Sequence, residues 1–221
     1  MAMEENRAKI KAAIKRRKKV VYTPVIPDMQ LGFVHHNVDC IGCRACEIAC
    51  KDKNGLAAGP RFRRVQYIEG GSYPDVYAYK VNISCNHCEK PACLPACPTG
   101  AIFKRKKDGI VDIDSTLCIG CRRCEATCPY GAPQYDPEDG IVKKCNMCVD
   151  EIDAGRKPYC VMGCMMRVLD IGDIARLRAG DYKTKAVGPH ETAVNAVKNF
   201  ANPELTNPSI VFVAHSKGKV Q

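Results

Sequence analysis

The sequence contains no tryptophan, and aromatic residues make up only 6% of its 221 positions. A core anchored on large rings is therefore disfavoured, and many small packed volumes around some other centre are expected. No apolar run approaches the roughly 18–20 residues that cross a bilayer, so no membrane span is expected. There is no Ser/His/Asp constellation, phosphate-binding loop or carboxylate pair at catalytic spacing. The polypeptide is accordingly expected to make and break no substrate bonds: it is not an enzyme on its own, and it has no catalytic residues. Arg16 and Arg17 stand in a basic stretch, Lys15 to Lys19, but the following Val20 to Thr23 is short and ends at Pro24. That is no h-region, so no signal peptide is expected, and any export would be with a partner that carries one.

What the chain has in excess is cysteine, sixteen of them, together with a formal net charge of +10. A disulfide framework and metal ligation compete to explain the cysteines. The spacing favours ligation, because many neighbouring Cys lie two to four residues apart, where pairwise bridging would strain the chain. Four groups are legible. The first is Cys40, Cys43, Cys46 and Cys50, and the second is Cys85, Cys88, Cys93 and Cys97. Cys118, Cys121, Cys124 and Cys128 form the third, and Cys145, Cys148, Cys160 and Cys164 the fourth. The near-identity of Cys40-Ile41-Gly42-Cys43-Arg44 and Cys118-Ile119-Gly120-Cys121-Arg122 marks an internal repeat beyond the cysteines themselves.

A CxxCxxC run gives three thiolates from one short loop. That suits three corners of a cubane and leaves its fourth iron to a distant ligand, whereas zinc sites more often draw two CxxC pairs from two knuckles. In the bacterial ferredoxin pattern CxxCxxCxxxCP the fourth Cys ligates the other cluster of a pair, and the third group matches that pattern, including Pro129. The groups should therefore pair into two ferredoxin-like lobes of an α+β fold with short strands, short helices and long ligand loops. Gly42 and Gly120 permit close backbone approach, and Pro98 and Pro129 turn the chain after a fourth Cys. The fourth group departs from the pattern, with eleven residues between Cys148 and Cys160 and Met165 after Cys164. Four [4Fe–4S] clusters, each about −2 with its thiolates, would bring the net charge to about +2, so much of the basicity reads as internal compensation rather than a nucleic-acid surface. Arg44, Arg122, Arg123, Lys143 and Lys144 abut ligands and are candidates for that compensation, with a solvated face as the alternative. His35, His36 and His87 are assigned surface or supporting roles, since every group already has four Cys.

Residues 62–68 and 76–83 predict a hairpin through Gly70-Gly71 and Pro74, and residues 102–103 and 110–113 predict a second. Short helical pieces are expected at 150–154 and 171–177. A basic arm, with a helix from Glu4 to Lys19 carrying Ile10 and Ile14 on one face, precedes the first group. A tail with one apolar run, residues 210–213, follows the last.

With Ser84-Cys85-Asn86-His87-Cys88, Cys97-Pro98-Thr99-Gly100-Ala101 and Cys128-Pro129-Tyr130-Gly131-Ala132-Pro133-Gln134-Tyr135 added to the four groups, the chain resembles the four-cluster electron-transfer subunits of the dimethyl sulfoxide reductase family of molybdenum or tungsten enzymes. The resemblance runs from about Gly32 to Leu177, with an echo at residues 207–211. It implies that the first group pairs with the fourth and the second with the third. One cluster would take Cys40, Cys43, Cys46 and Cys164, and its neighbour Cys145, Cys148, Cys160 and Cys50. The other lobe would hold Cys85, Cys88, Cys93 and Cys128, then Cys118, Cys121, Cys124 and Cys97, with Cys124 marking a four-iron rather than a three-iron centre. The implied division is an arm at 1–30, a first lobe from 31–84 and 140–180, a second lobe at 85–139, and a tail at 181–221 packing on the body or a partner. The implied partners are a bis-pterin catalytic subunit, held by the first lobe, and an integral-membrane quinol-binding anchor, held by the second. The implied location is peripheral to the membrane on the exported face, reached through the partner's twin-arginine signal. The alternative is a polyferredoxin-type module of a cytoplasmic hydrogenase or formate dehydrogenase complex. The long basic arm departs from the family's usual short N-terminus.

Overall fold

The computed structural model describes residues 25–182, 193–194, 197 and 200–214. The expected helix at residues 4–19 lies outside the described residues, as does most of the basic arm.

The one extended sheet has four strands, built from segments far apart in the chain. Strand β1, Leu31–His36, lies between β8, Leu169–Asp173, and β10, Ile210–Val213, with the short β9, Ala193–Val194, beyond β10. β1 runs antiparallel to β8, with His35 opposite Leu169, and parallel to β10, with Phe33 opposite Ile210. All six residues of β1 are buried. Phe33, Ile210 and Phe212 face the main core, which also contains six of the cysteines. Val34, Val211 and Val213 face the other way, onto Ile174 and Leu177 of the helix at Ile174–Arg178.

The first expected hairpin forms and is longer than predicted, because Gly70 and Gly71 continue the ladder instead of ending it. β2, Arg64–Ser72, pairs with β3, Asp75–Ile83, from Arg64 opposite Ile83 to Ser72 opposite Asp75. Its base is buried through Val65, Tyr79, Val81 and Ile83, and its tip is exposed. The second hairpin joins β4, Ile102–Lys104, to β5, Val111–Ile113. A third, unanticipated, joins β6, Gln134–Asp136, to β7, Ile141–Lys143, and straddles the boundary expected at residues 139–140.

The helices are short, and the first three start one or two residues after a cysteine: α1, Ala45–Lys53; α2, Arg123–Thr127; α3, Val149–Asp153; α4, Tyr159–Met162; and α5, Ile174–Arg178. The helix expected from residue 171 starts only at Ile174, because residues 171–173 complete β8. Asp173 then caps α5, its carboxylate accepting from the Ala175 N–H at 3.0 Å. The apolar run 210–213 does more than pack against the body. It is an interior strand, and residues before it hold the second Cys group, with the Ser209 N–H donating to the Asn86 carbonyl at 3.0 Å and the Glu89 N–H to the Asn207 carbonyl at 2.9 Å.

Phe212 is fully buried, stacked edge-on against both His35 and Phe200. Truncating such a ring costs about 3–5 kcal/mol. Phe212→Ala is expected to shorten markedly the time for which the folded holoprotein keeps its visible absorbance on heating, whereas the exposed Tyr73→Ala is expected to leave that half-life unchanged.

Candidate iron–sulfur cluster sites

In each of the four groups the residue before the second cysteine is left-handed: Gly42 at φ 74°, His87 at 44°, Gly120 at 67° and Met147 at 61°. This conformation turns the intervening amides inward, and it is why glycine stands at two of the positions. His87 and Met147 adopt it at a cost of about 1–2 kcal/mol, which their complete burial sustains. Arg44 and Arg122, one residue after the second cysteine, are left-handed too and start α1 and α2. α1 then carries Cys46 and Cys50 one helical turn apart.

The loops converge on cavities that mix the groups. Cys40, Cys43, Cys46 and Cys164 line one, with His35, Asn82 and Leu169. Cys85, Cys88, Cys93 and Cys128 line a second, with Lys144 and Tyr130. Cys118, Cys121, Cys124 and Cys97 line a third, with Ile102 and Val142. The remaining four are also neighbours: burial pushes the Cys50 thiol up, reinforced by the charges of Cys145, Cys160 and Cys148. Burial likewise pushes Cys88 and Cys145 up to about 12 and Cys124 to about 11, with nearby cysteines adding to it. Cys97 is the exception. Burial acts upward on it, but the Thr99 hydroxyl and the amides of Ile102, Thr99 and Ala101 outweigh that and lower it.

All sixteen cysteines are free of disulfides. Among the described residues no group of three or more His, Cys, Asp or Glu side chains is arranged to hold a single metal ion. A zinc ion needs its sulfurs at about 2.3 Å. Quartets of thiols suit a polynuclear iron–sulfur centre, and each of the three cavities has four of them. Donors to sulfur are already in place: Asn82 Nδ2 at 3.2 Å from Cys46 Sγ, the Met147 N–H at 3.4 Å from Cys145 Sγ, and the Val142 N–H at 3.5 Å from Cys118 Sγ.

The supporting residues divide differently from their sequence positions. Lys144 is buried, donating to the carbonyls of Val111 and Cys145. Burial works against its charge, but Cys85, Asp112, Cys93 and Cys145 more than offset this and raise it. Lys143 instead pairs with Asp136 and Asp139, and Arg122 with Glu125 at 2.7 Å, so both belong to the solvated face. The three histidines are not on the surface at all; each is essentially fully buried. His87 Nδ1 accepts from the Val111 N–H at 3.1 Å, and burial holds its ring neutral. The residue that sequence reading missed is Arg63, whose guanidinium is buried beside the first and fourth groups, distant from any cysteine in sequence.

A family model described as a 4Fe-4S dicluster domain matches residues 76–174. One chain of the anaerobic dimethyl sulfoxide reductase of Escherichia coli K12 is 43% identical over 201 residues, covering 85% of this protein and 98% of the relative. The present chain is a member of this family. Its members are the iron–sulfur electron-transfer chains of multi-subunit oxidoreductases, so this chain is non-catalytic, α+β and ferredoxin-like, and it carries [4Fe–4S] clusters. One of the subunits of the sulfite dehydrogenase of Allochromatium vinosum is 38% identical, covering 66% of this protein and 69% of the relative. The thiosulfate reductase electron transfer subunit PhsB of Salmonella typhi is 40% identical, covering 65% and 76%. Family membership, like the cavities, fits the iron–sulfur reading and excludes disulfides as the reason for the cysteines. Among the described residues no helix is long and apolar enough to cross a membrane.

A Cβ at Gly120 would lie 2.3 Å from the Gly140 carbonyl oxygen, whereas at Gly42 the obstacle is the Tyr67 hydroxyl, the movable end of a side chain. Gly120→Ala is therefore expected to lose up to about four irons per chain, the content of one cubane, and Gly42→Ala to lose fewer. Iron and acid-labile sulfide assays on the purified variants check the order.

Proposed function

We propose that the chain holds four [4Fe–4S] clusters and relays electrons between a membrane quinol-interacting anchor and a molybdenum or tungsten bis-pterin catalytic subunit. What supports this reading is that three cavities are each lined by four cysteines drawn from two groups, and that Cys50 lies within electrostatic reach of Cys145, Cys148 and Cys160. One cluster is held by Cys40, Cys43, Cys46 and Cys164, and the next by Cys145, Cys148, Cys160 and Cys50. The third is held by Cys85, Cys88, Cys93 and Cys128, and the fourth by Cys118, Cys121, Cys124 and Cys97. When bound, each accepts and returns a single electron. The first and fourth groups with the four-stranded sheet make one lobe, and the second and third groups with the β4–β5 hairpin make the other.

The protein's own contribution is to bring the sets close and to bound them. α1 supplies Cys46 to one set and Cys50 to the next, and α2 ends on Cys128 after giving Cys124 to a different set. Cys43 and Cys121 are exposed while Cys50, Cys145, Cys148 and Cys160 are all buried, so the sets of Cys43 and Cys121 open to the surface where partners dock. The lobe of groups one and four faces the catalytic subunit and the other faces the anchor. The complex sits at the membrane's exported face, delivered by the catalytic partner's signal. The relatives named for dimethyl sulfoxide, sulfite and thiosulfate match at similar identity, which supports leaving substrate choice to the partner.

Anaerobically purified native complex is expected to contain about sixteen iron and sixteen labile sulfide per copy of this chain, with a Mo- or W-bearing large subunit. Cys164→Ser is expected to alter the EPR signal of the set containing Cys40, and Cys50→Ser that of the set containing Cys145. About eight iron in the unaltered chain, or loss of the Cys145 set's signal in Cys164→Ser with the Cys40 set intact, would refute the assignment.

A further inference from the structure

We propose that Arg63 sets the reduction potentials of the two clusters in the lobe of the first and fourth groups, as one cation shared between them. The inference rests on the four-set reading above and adds a role for a residue outside every cysteine motif. Arg63 is the largest fully buried side chain among the described residues. Its guanidinium lies 4.4 Å from the centre of the Phe33 ring, and its Nη1 donates to Asn82 Oδ1 at 2.7 Å. Asn82 in turn donates to Cys46 Sγ at 3.2 Å. Nε and Nη2 have no oxygen or nitrogen partner.

A buried guanidinium without a carboxylate is costly unless another anion stands in. Here the anions would be the cluster thiolates: Cys160, Cys145, Cys46 and Cys50 lie within electrostatic reach of Arg63, and they belong to both sets of the lobe. Reduction adds one electron, delivered by the partner subunit, and so one further negative charge to the set that receives it. A fixed cation in a water-poor interior stabilises that added charge more than the oxidised state and raises the midpoint. Among the described residues the cations near the second and third groups stand otherwise: the buried Lys104 and Lys144 donate to main-chain carbonyls, and Arg122 is exposed and paired with Glu125.

Arg63→Met and Arg63→Lys in the native complex, followed by EPR-monitored redox titration with iron analysis, test the role. In Arg63→Met at full iron content, the two clusters of Cys46 and Cys50 are expected to shift at least tenfold toward the oxidised form, a fall of about 59 mV or more for a one-electron couple. The sets of Cys88 and Cys121 should stay within a quarter of that shift. Arg63→Lys should recover most of the change. Unchanged midpoints, or an equal fall at all four clusters, would overturn the proposal. If Arg63→Met loses iron, Arg63→Gln replaces it: a fall in Arg63→Gln but not in Arg63→Lys supports the charge, and equal behaviour of the two overturns it. Fewer than four clusters in the unaltered chain would instead count against the four-set reading, separately from Arg63.

Discussion

The structure depends on gathering sixteen sulfurs that repel one another into a small interior. Burial alone disfavours the thiolate, and at most sites a neighbouring cysteine disfavours it further. The protein answers in two ways. Backbone and side-chain donors are turned toward sulfur, as at Asn82, Met147 and Val142. Buried cations stand beside the cysteines, Arg63 near Cys46, Cys50, Cys145 and Cys160, Lys144 near Cys85, Cys93 and Cys145, and Lys104 on the Cys88 carbonyl. The large excess of basic residues is therefore not spread evenly among the cysteines. Many basic residues, including Arg122, Lys143 and Arg105, are instead matched by carboxylates nearer the surface.

That constraint also explains how little regular structure there is. A loop that points three thiols at one centre has few amides left for helix or ladder, so α1, α2 and α3 begin just after a cysteine and every helix ends within about one to three turns. The hairpins act as walls. Ile102, Val111 and Val142 enclose Cys124, and Val65, Tyr79 and Val81 belong to the core that contains Cys46 and Cys50. Apolar side chains here exclude water from sulfur as much as they pack with each other, which is why a chain without tryptophan still has a core.

Much of this was legible in the sequence because cysteine spacing is a ligand pattern that survives any change of backbone. The first two hairpins were legible from the alternation in residues 76–83 and the Asp108-Gly109 turn. β1 was not, because Leu31–His36 is buried on both faces and has no alternation to read, and its two histidines suggested polar surroundings. The third hairpin has only three residues on each side, too short for a period. His87 and Met147 concealed the repeated left-handed turn that glycine advertised at Gly42 and Gly120. Arg63 carried no signal at all: among Arg61, Arg63 and Arg64 it alone is fully buried, its guanidinium against the Phe33 ring. Lys143 and Lys144 could not be separated by sequence, since adjacent residues of an extended segment face opposite ways.

The sheet is part of the cluster site rather than a support beside it. Residues 85–128 contain the second and third Cys groups, so those loops close over short distances. Cys40 and Cys164, which line one cavity, must meet across more than half of the chain, and closing so long a loop is entropically unfavourable. The pairing of His35 with Leu169 supplies the closure, since it ends β1 just before Cys40 and starts β8 just after Cys164. β10 then covers the other edge of β1, and the segment leading into it bonds to Asn86 and Glu89 in the second Cys group. The same few strands therefore bring the distant first and fourth Cys groups together and tie them to the second.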